Sequence, residues 1–169
     1  MSADPRPRAQ RRRDTEHRLT HDIDVWVASA SADGAPYLVP LSFDWDGEAL
    51  LVATSTDSPT GRNLATTRTV RLGLGHTRDV SMIDGEVEVL EIDALPQQRG
   101  DRFAARTGFD PRALATPYRW FRISPRRIQA WREVNEMPDR ELMRDGRWLL
   151  EAGHFEPGEA DGDREGGPS

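Results

Sequence analysis

The chain has no cysteine, and all 23 of its basic side chains are arginine. Without cysteine there are no disulfides, zinc thiolate sites, iron–sulfur clusters or cysteine nucleophiles. Without lysine there is no Schiff base to pyridoxal phosphate or to any other carbonyl. Long apolar runs are missing too: no stretch approaches the roughly 20 residues that span a bilayer, and the early positive charge has no hydrophobic segment behind it. These absences predict a protein without a membrane span, located by default in the cytoplasm. Nor is there a G-x-S-x-G elbow, a Walker loop or a paired-carboxylate signature, so any catalysis would rest on a cofactor.

What is present is charge, unevenly placed. The chain has 169 residues, a net charge of -6 and 36% hydrophobic residues, with a mean hydropathy of -0.71. Residues 1–13 hold five arginines against one aspartate, with Pro5 and Pro7 between them, and show no hydrophobic face. Residues 151–169 set six carboxylates against one arginine among several glycines and prolines. The expectation is a disordered basic arm over 1–13, one domain over 14–150 and a disordered acidic tail over 151–169. The domain is itself mildly acidic, which argues against a nucleic-acid platform, since that needs a basic stripe.

Within 14–150 the turn signals come at hairpin spacing. A short surface helix is expected from Asp14, then a strand over 23–31 ending at Ala32-Asp33-Gly34. Tyr37, Val39, Leu41, Phe43 and Trp45 alternate with Leu38, Pro40, Ser42 and Asp44, the period of a half-buried strand. After the Asp46-Gly47 turn a third strand covers 48–54. Ser58 followed by Pro59 reads as a capped helix start, running to Thr67. Strands follow over 70–77 and 80–92, the second interrupted at Asp84-Gly85 as if by a bulge. A helix over 95–107 stops at Gly108, a turn covers 111–115, and strands over 118–123 and 127–134 precede a hairpin at Asp145-Gly146. The sum is a mainly β chain with short helices, six to eight antiparallel strands closing into a small barrel.

Chemistry concentrates in residues 39–64, VPLSFDWDGEALLVATSTDSPTGRNL. Two strands deliver the chain to Thr54, Ser55, Thr56, Ser58 and Thr60, directly before a helix start and Arg62. Free N–H groups, hydroxyls and a guanidinium make an anion pocket that fits a phosphate. On local chemistry alone the simpler reading is stronger: Ser58 caps its helix, and the threonines end strands. His17 and His21 stand at i, i+4, a metal-sharing spacing, but no third ligand is apparent and no metal site is expected. His76 falls on the Val70-Leu72-Leu74 side of its strand, which suits either a core histidine or a substrate contact.

The order of these features tips the balance. The strand ADGAPYLVPLSFDWDG, the strand end Ala53-Thr54, the helix with Arg62-Asn63-Leu64, the segment MIDGEVEV, and then Ile123-Ser124-Pro125 before Ile128-Gln129-Ala130-Trp131 resemble the pyridoxamine-phosphate-oxidase-like flavoproteins over nearly all of 20–150. The resemblance implies an FMN-binding type of split β-barrel, a homodimer, and a flavin in the groove between subunits. It implies that Val39, Pro40, Leu41 and Ser42 line the isoalloxazine ring, and that Thr54, Ser55, Thr60, Arg62 and Asn63 surround the phosphate beside the cap Ser58. Trp120 and Trp131 would cover a ring face from the partner, or serve only as packing; no catalytic side chain is assigned.

This chain departs from its relatives at two places. Thr60 stands where they usually carry a lysine, and Pro59 where the oxidase proper carries an arginine, so Arg62 would have to supply the positive charge, alone or with Arg71 or Arg78, unless the site has weakened or changed ligand. Oxidation of pyridoxine phosphate is therefore not expected. The function implied is that of an oxidoreductase using FMN or the deazaflavin coenzyme F-420 on a small conjugated substrate. The alternatives are a non-catalytic flavin-binding, storage or sensing protein, or a haem protein with His76 or a tail histidine as axial ligand.

Overall fold

The computed structural model describes residues 3–149. Helix α1 (Arg8–His21) leads into strands β1 (Asp24–Ala30), β2 (Pro36–Trp45) and β3 (Leu50–Ser55). Helix α2 (Pro59–Thr67) precedes β4 (Thr69–His76) and β5 (Asp79–Glu91). Helix α3 (Gln97–Thr107) and a single 3₁₀ turn (Pro111–Ala113) lead to β6 (Tyr118–Trp131), and a small hairpin, β7 (Glu141–Arg144) with β8 (Arg147–Trp148), follows. All pairings are antiparallel, in the order β3-β2-β1-β4-β5-β6-β7-β8, and a further β3–β6 pairing closes the first six strands into a barrel. The fold is a split β-barrel, as the turn spacing and alternation predict.

Closure explains why burial in β3 does not alternate. Leu50 and Val52 point into the barrel with Phe43, Leu72, Ile83, Phe121 and Ile128. Leu51 and Ala53 point outward into a second cluster with Phe103 and Trp120, under α3. Buried on both faces, β3 is apolar from Leu50 to Ala53 and turns polar only at its end, Thr54 and Ser55. Leu19 of α1 and Leu64 of α2, both with no exposed surface, join the barrel cluster and dock their helices; burying such a side chain contributes about 1.5–3 kcal/mol.

The β5–β6 register shifts at Asp84/Gly85, the bulge expected there, with Gly85 opposite Pro125. A Cβ on Gly85 would lie 2.6 Å from the Ile123 side chain, so the bend admits only glycine without rearrangement. The bulge also accommodates Pro125, which cannot donate to a regular ladder. It therefore corrects one expectation: 118–123 and 127–134 are not two strands but the single β6, which stops at Trp131. The last hairpin turns through Asp145 and Gly146, both at positive φ (51° and 75°), as a tight primed turn requires.

The basic arm is a second correction over the residues described. From Arg8 onward it is helix, and Arg6 and Arg11 are buried. Arg6 donates from Nε (3.0 Å), Nη2 (2.8 Å) and its backbone N–H (2.9 Å) to the Glu136 carboxylate, and from Nη1 to Asp14 (2.8 Å). Arg11 donates to the carbonyls of Ala130 (3.1 Å) and Glu136 (3.2 Å). This strap is held by charge-assisted hydrogen bonds rather than apolar contact, so a search for a hydrophobic face passes over it. The acidic tail, 151–169, lies outside the described residues.

Candidate functional site

The end of β3 and the start of α2 are knit together by hydroxyls. The Ser58 hydroxyl accepts from the Gly61 N–H (2.9 Å), donates to the Ser55 carbonyl (2.8 Å) and lies 3.1 Å from the Thr54 hydroxyl. The Asp57 N–H donates to the Ser55 hydroxyl (3.3 Å), and the Thr56 N–H to the Pro117 carbonyl (3.0 Å). Ser58 is thus an N-cap in fact, as the simpler reading of this loop expects. Gly61 is obligatory here: a Cβ would stand 2.1 Å from the Ser55 carbonyl oxygen.

The other predicted phosphate residues divide. Arg62 is exposed at this helix start, and its guanidinium donates to the Asp57 carbonyl. Thr60 and Asn63 are turned inward: Thr60 is 1% exposed, with a buried hydroxyl that has no hydrogen-bond partner, and Asn63 donates to the Ser29 hydroxyl (3.1 Å). The structure therefore gathers Thr54, Ser55, Ser58 and Arg62 at the loop, with Thr60 and Asn63 beneath it.

Beside the loop lies a groove of about 230 Å³ whose lining includes Pro40, Leu41, Ser42 and Thr54. Val39 does not line it; half-buried, it packs against the barrel cluster. The opposite wall is aromatic: Phe103, Phe109 and Tyr118. Sequence reading missed all three, although two of them flank Gly108, the αL residue (φ 72°) at which α3 stops and the chain turns back. On the other side of β2, the Ser42 hydroxyl donates to the Asp24 carboxylate (2.7 Å).

Of the three residues assigned to a partner or substrate side, Trp120 has no exposed surface. Its indole N–H donates to the Ile92 carbonyl (3.1 Å), and it stacks edge-on with Phe103 (5.0 Å between ring centroids), so it backs the groove wall as packing. Trp131 is half-buried at the far end of β6, opposite Val80. His76 is exposed and is not a core histidine: Gly75, at φ 86°, breaks the alternation that buries Leu72 and Leu74. It shares two grooves, of about 340 and 460 Å³, with the 51%-exposed Trp26. Its hairpin is tied down through Asp79, whose burial is outweighed by hydrogen bonds from Arg18 and Arg132 that hold the carboxyl below the usual range. Among the described residues no three His, Asp or Glu side chains converge as a metal site, and His17 and His21 simply stack on one another at 4.0 Å. No helix among those residues is long and apolar enough to cross a membrane.

Comparison with known proteins agrees with this architecture. Among solved structures the fold recurs in an F420 reductase (20% identity, 67% of this chain and 94% of that one, TM-score 0.55). It recurs in general stress protein 26 from Bacillus anthracis (17%, 73% and 92%, TM-score 0.51) and in HutZ, the haem storage protein from Vibrio cholerae (18%, 67% and 88%, TM-score 0.51). At these identities the likeness is one of fold. No curated protein matches the chain. The family model of pyridoxamine 5'-phosphate oxidase, however, matches residues 17–132; the chain belongs to the pyridoxamine 5'-phosphate oxidase family.

Proposed function

We propose that the chain is an oxidoreductase that binds FMN or the deazaflavin coenzyme F-420 in the β2–β3 groove, with its phosphate at the start of α2. One observation carries this reading: a groove lined by Pro40, Leu41 and Ser42 of β2 and by three aromatic rings adjoins the end of β3, with Thr54 and Ser55, and the start of α2, with Ser58 and an exposed arginine. The donor set suits a phosphate group, since Arg62 supplies charge without lysine and the cap supplies hydroxyls and N–H groups. When bound, the flavin or deazaflavin supplies hydride chemistry. The chain's own part is to hold the phosphate, to lay the ring along Pro40–Ser42, and to exclude water with Phe109 and Tyr118. The substrate would be a small conjugated molecule.

The coenzyme groove would be shared between two copies. Trp26 and Leu38, at 51% and 59% exposure, form an apolar area on one face of β1 and β2 beside Pro40, of the kind that marks an association surface. Sedimentation should report a dimer for the native chain and a monomer for Trp26→Asp; a native monomer would rule out the shared groove.

The test of the cofactor is titration of the purified protein with FMN and with F-420, followed by absorption. Arg62→Ala should weaken binding by about 1.5–3 kcal/mol, the span for hydrogen bonds to charged groups, with the fold intact. Unchanged affinity removes Arg62 from the site. A second reading, haem binding, is favoured by His76, an exposed imidazole at the edge of a groove faced by Trp26, Leu38 and Met82. A Soret band lost in His76→Ala would establish it in place of the flavin reading.

A further inference from the structure

Asp44 is buried with no exposed surface, next to Phe43, which is buried as well. Two adjacent residues of one strand are buried because each faces a different neighbour: Phe43 enters the barrel cluster, and Asp44 meets α3. That helix has no side-chain cap at its start and, besides Gly100, only Phe103 is buried. Apolar contact is therefore a small part of its docking. Instead three arginines on one stripe of α3 converge on the Asp44 carboxylate: Arg99 at 3.2 Å, Arg102 at 3.2 Å and Arg106 at 3.8 Å.

Each arginine also reaches past the carboxylate. Arg99 meets Asp46 (3.4 Å), Arg102 donates to the Trp45 carbonyl, and Arg106 donates to the Leu19, Thr20 and Asp22 carbonyls at the end of α1. Asp44 is the common point of this array, two residues along β2 from Ser42. The elements it fixes against β2, α3 and the turn after it, carry Phe103 and Phe109, which form the wall of the coenzyme groove facing Pro40–Ser42. With the carboxylate neutralised, three guanidinium groups would face each other without their shared counter-charge, and α3 would lose its register on β2.

We propose that Asp44 is a positioning residue for coenzyme binding: through Arg99, Arg102 and Arg106 it sets α3, and with it Phe109, at the spacing from β2 that the flavin ring requires. This rests on the reading of the groove as the coenzyme site. The experiment is titration of the full-length protein with FMN and F-420, read by affinity and by visible circular dichroism of the bound ring, with thermal melts in parallel. Asp44→Asn should still melt cooperatively, bind about tenfold more weakly and change the dichroism of the ring. Phe109→Ala should weaken binding as well, and adding Asp44→Asn to it should then change little, because both act through one wall. The control is Glu141→Gln, which removes a surface pairing with Arg144 and should leave binding unchanged.

Native affinity and an unaltered ring signal in Asp44→Asn, or multiplicative effects in the double variant, would overturn the proposal. If Asp44→Asn fails to fold, Arg102→Gln, which removes one half-exposed partner, gives the same reading, with about threefold weaker binding expected and the same lack of additivity with Phe109→Ala. A native protein that takes up neither coenzyme would sink the site assignment and this inference together; a native protein that binds while the variants match it sinks only the inference.

Discussion

Replacing Glu136 by alanine is expected to destabilise the fold by about 3–5 kcal/mol, the cost of breaking a buried ion pair from one side. Glu136 is 3% exposed, and its carboxylate accepts from Arg6 three times and from the Arg132 N–H (2.7 Å). Without it the Arg6 guanidinium, 6% exposed, keeps Asp14 (2.8 Å) and Asp79 (3.2 Å) but loses its bidentate partner, and Arg11 loses a fixed carbonyl. Chemical denaturation measures the difference; a loss below about 1 kcal/mol, the worth of a surface pair, would mean that the strap is ornamental.

The same residue predicts a pH dependence. Hydrogen bonds from Arg6 hold the Glu136 carboxyl down at about 2, against an ordinary value of 4.5. A folded-state value below the unfolded one stabilises the fold fully above the unfolded value, and that contribution is lost as pH falls through the folded one. The native protein should therefore lose its advantage over Glu136→Gln progressively between about pH 4.5 and 2, which melts recorded at a series of pH values would reveal. A constant difference over that window would contradict the assignment.

Gly61→Ala should have the largest effect on coenzyme binding. The added methyl would stand 2.1 Å from the Ser55 carbonyl and 3.1 Å from the Ser58 hydroxyl. The first is backbone, so α2 must retreat from β3, and the cap that aligns Ser58 and the helix N–H groups goes with it. Overpacking of this kind costs about 1–3 kcal/mol of stability. Coenzyme affinity should fall by about tenfold or more, because the phosphate donors no longer converge. Titration and melting of the same variant test both halves; a destabilised protein with native affinity would separate the loop from the phosphate.

The elements legible in the sequence were those with local causes. Alternation placed β2 and β4, Ser58-Pro59 placed α2, and Asp84-Gly85 placed the bulge, because in each case the determining residues are neighbours. What escaped depends on partners far away along the chain. The strap is ordered by a carboxylate 130 positions on, so locally it reads as an unfolded basic stretch. Gly75 was visible as a glycine, but not its positive φ, which puts His76 outside, nor the Asp79 carbonyl and Arg18 side chain that leave no room for a Cβ there. The candidate site was half legible: its β2 and α2 components lie within 26 residues of each other, whereas Phe103, Phe109 and Tyr118 join it only through α3 and the β3–β6 closure.

The link between Arg6 and Glu136 also orders events in time. During synthesis the arginine-rich segment is made ahead of the barrel strands, with Asp14 and then Asp79 available to Arg6 before its bidentate partner exists. Its counterpart arrives only after β6 is complete. The latch can thus close fully over a finished barrel and not before.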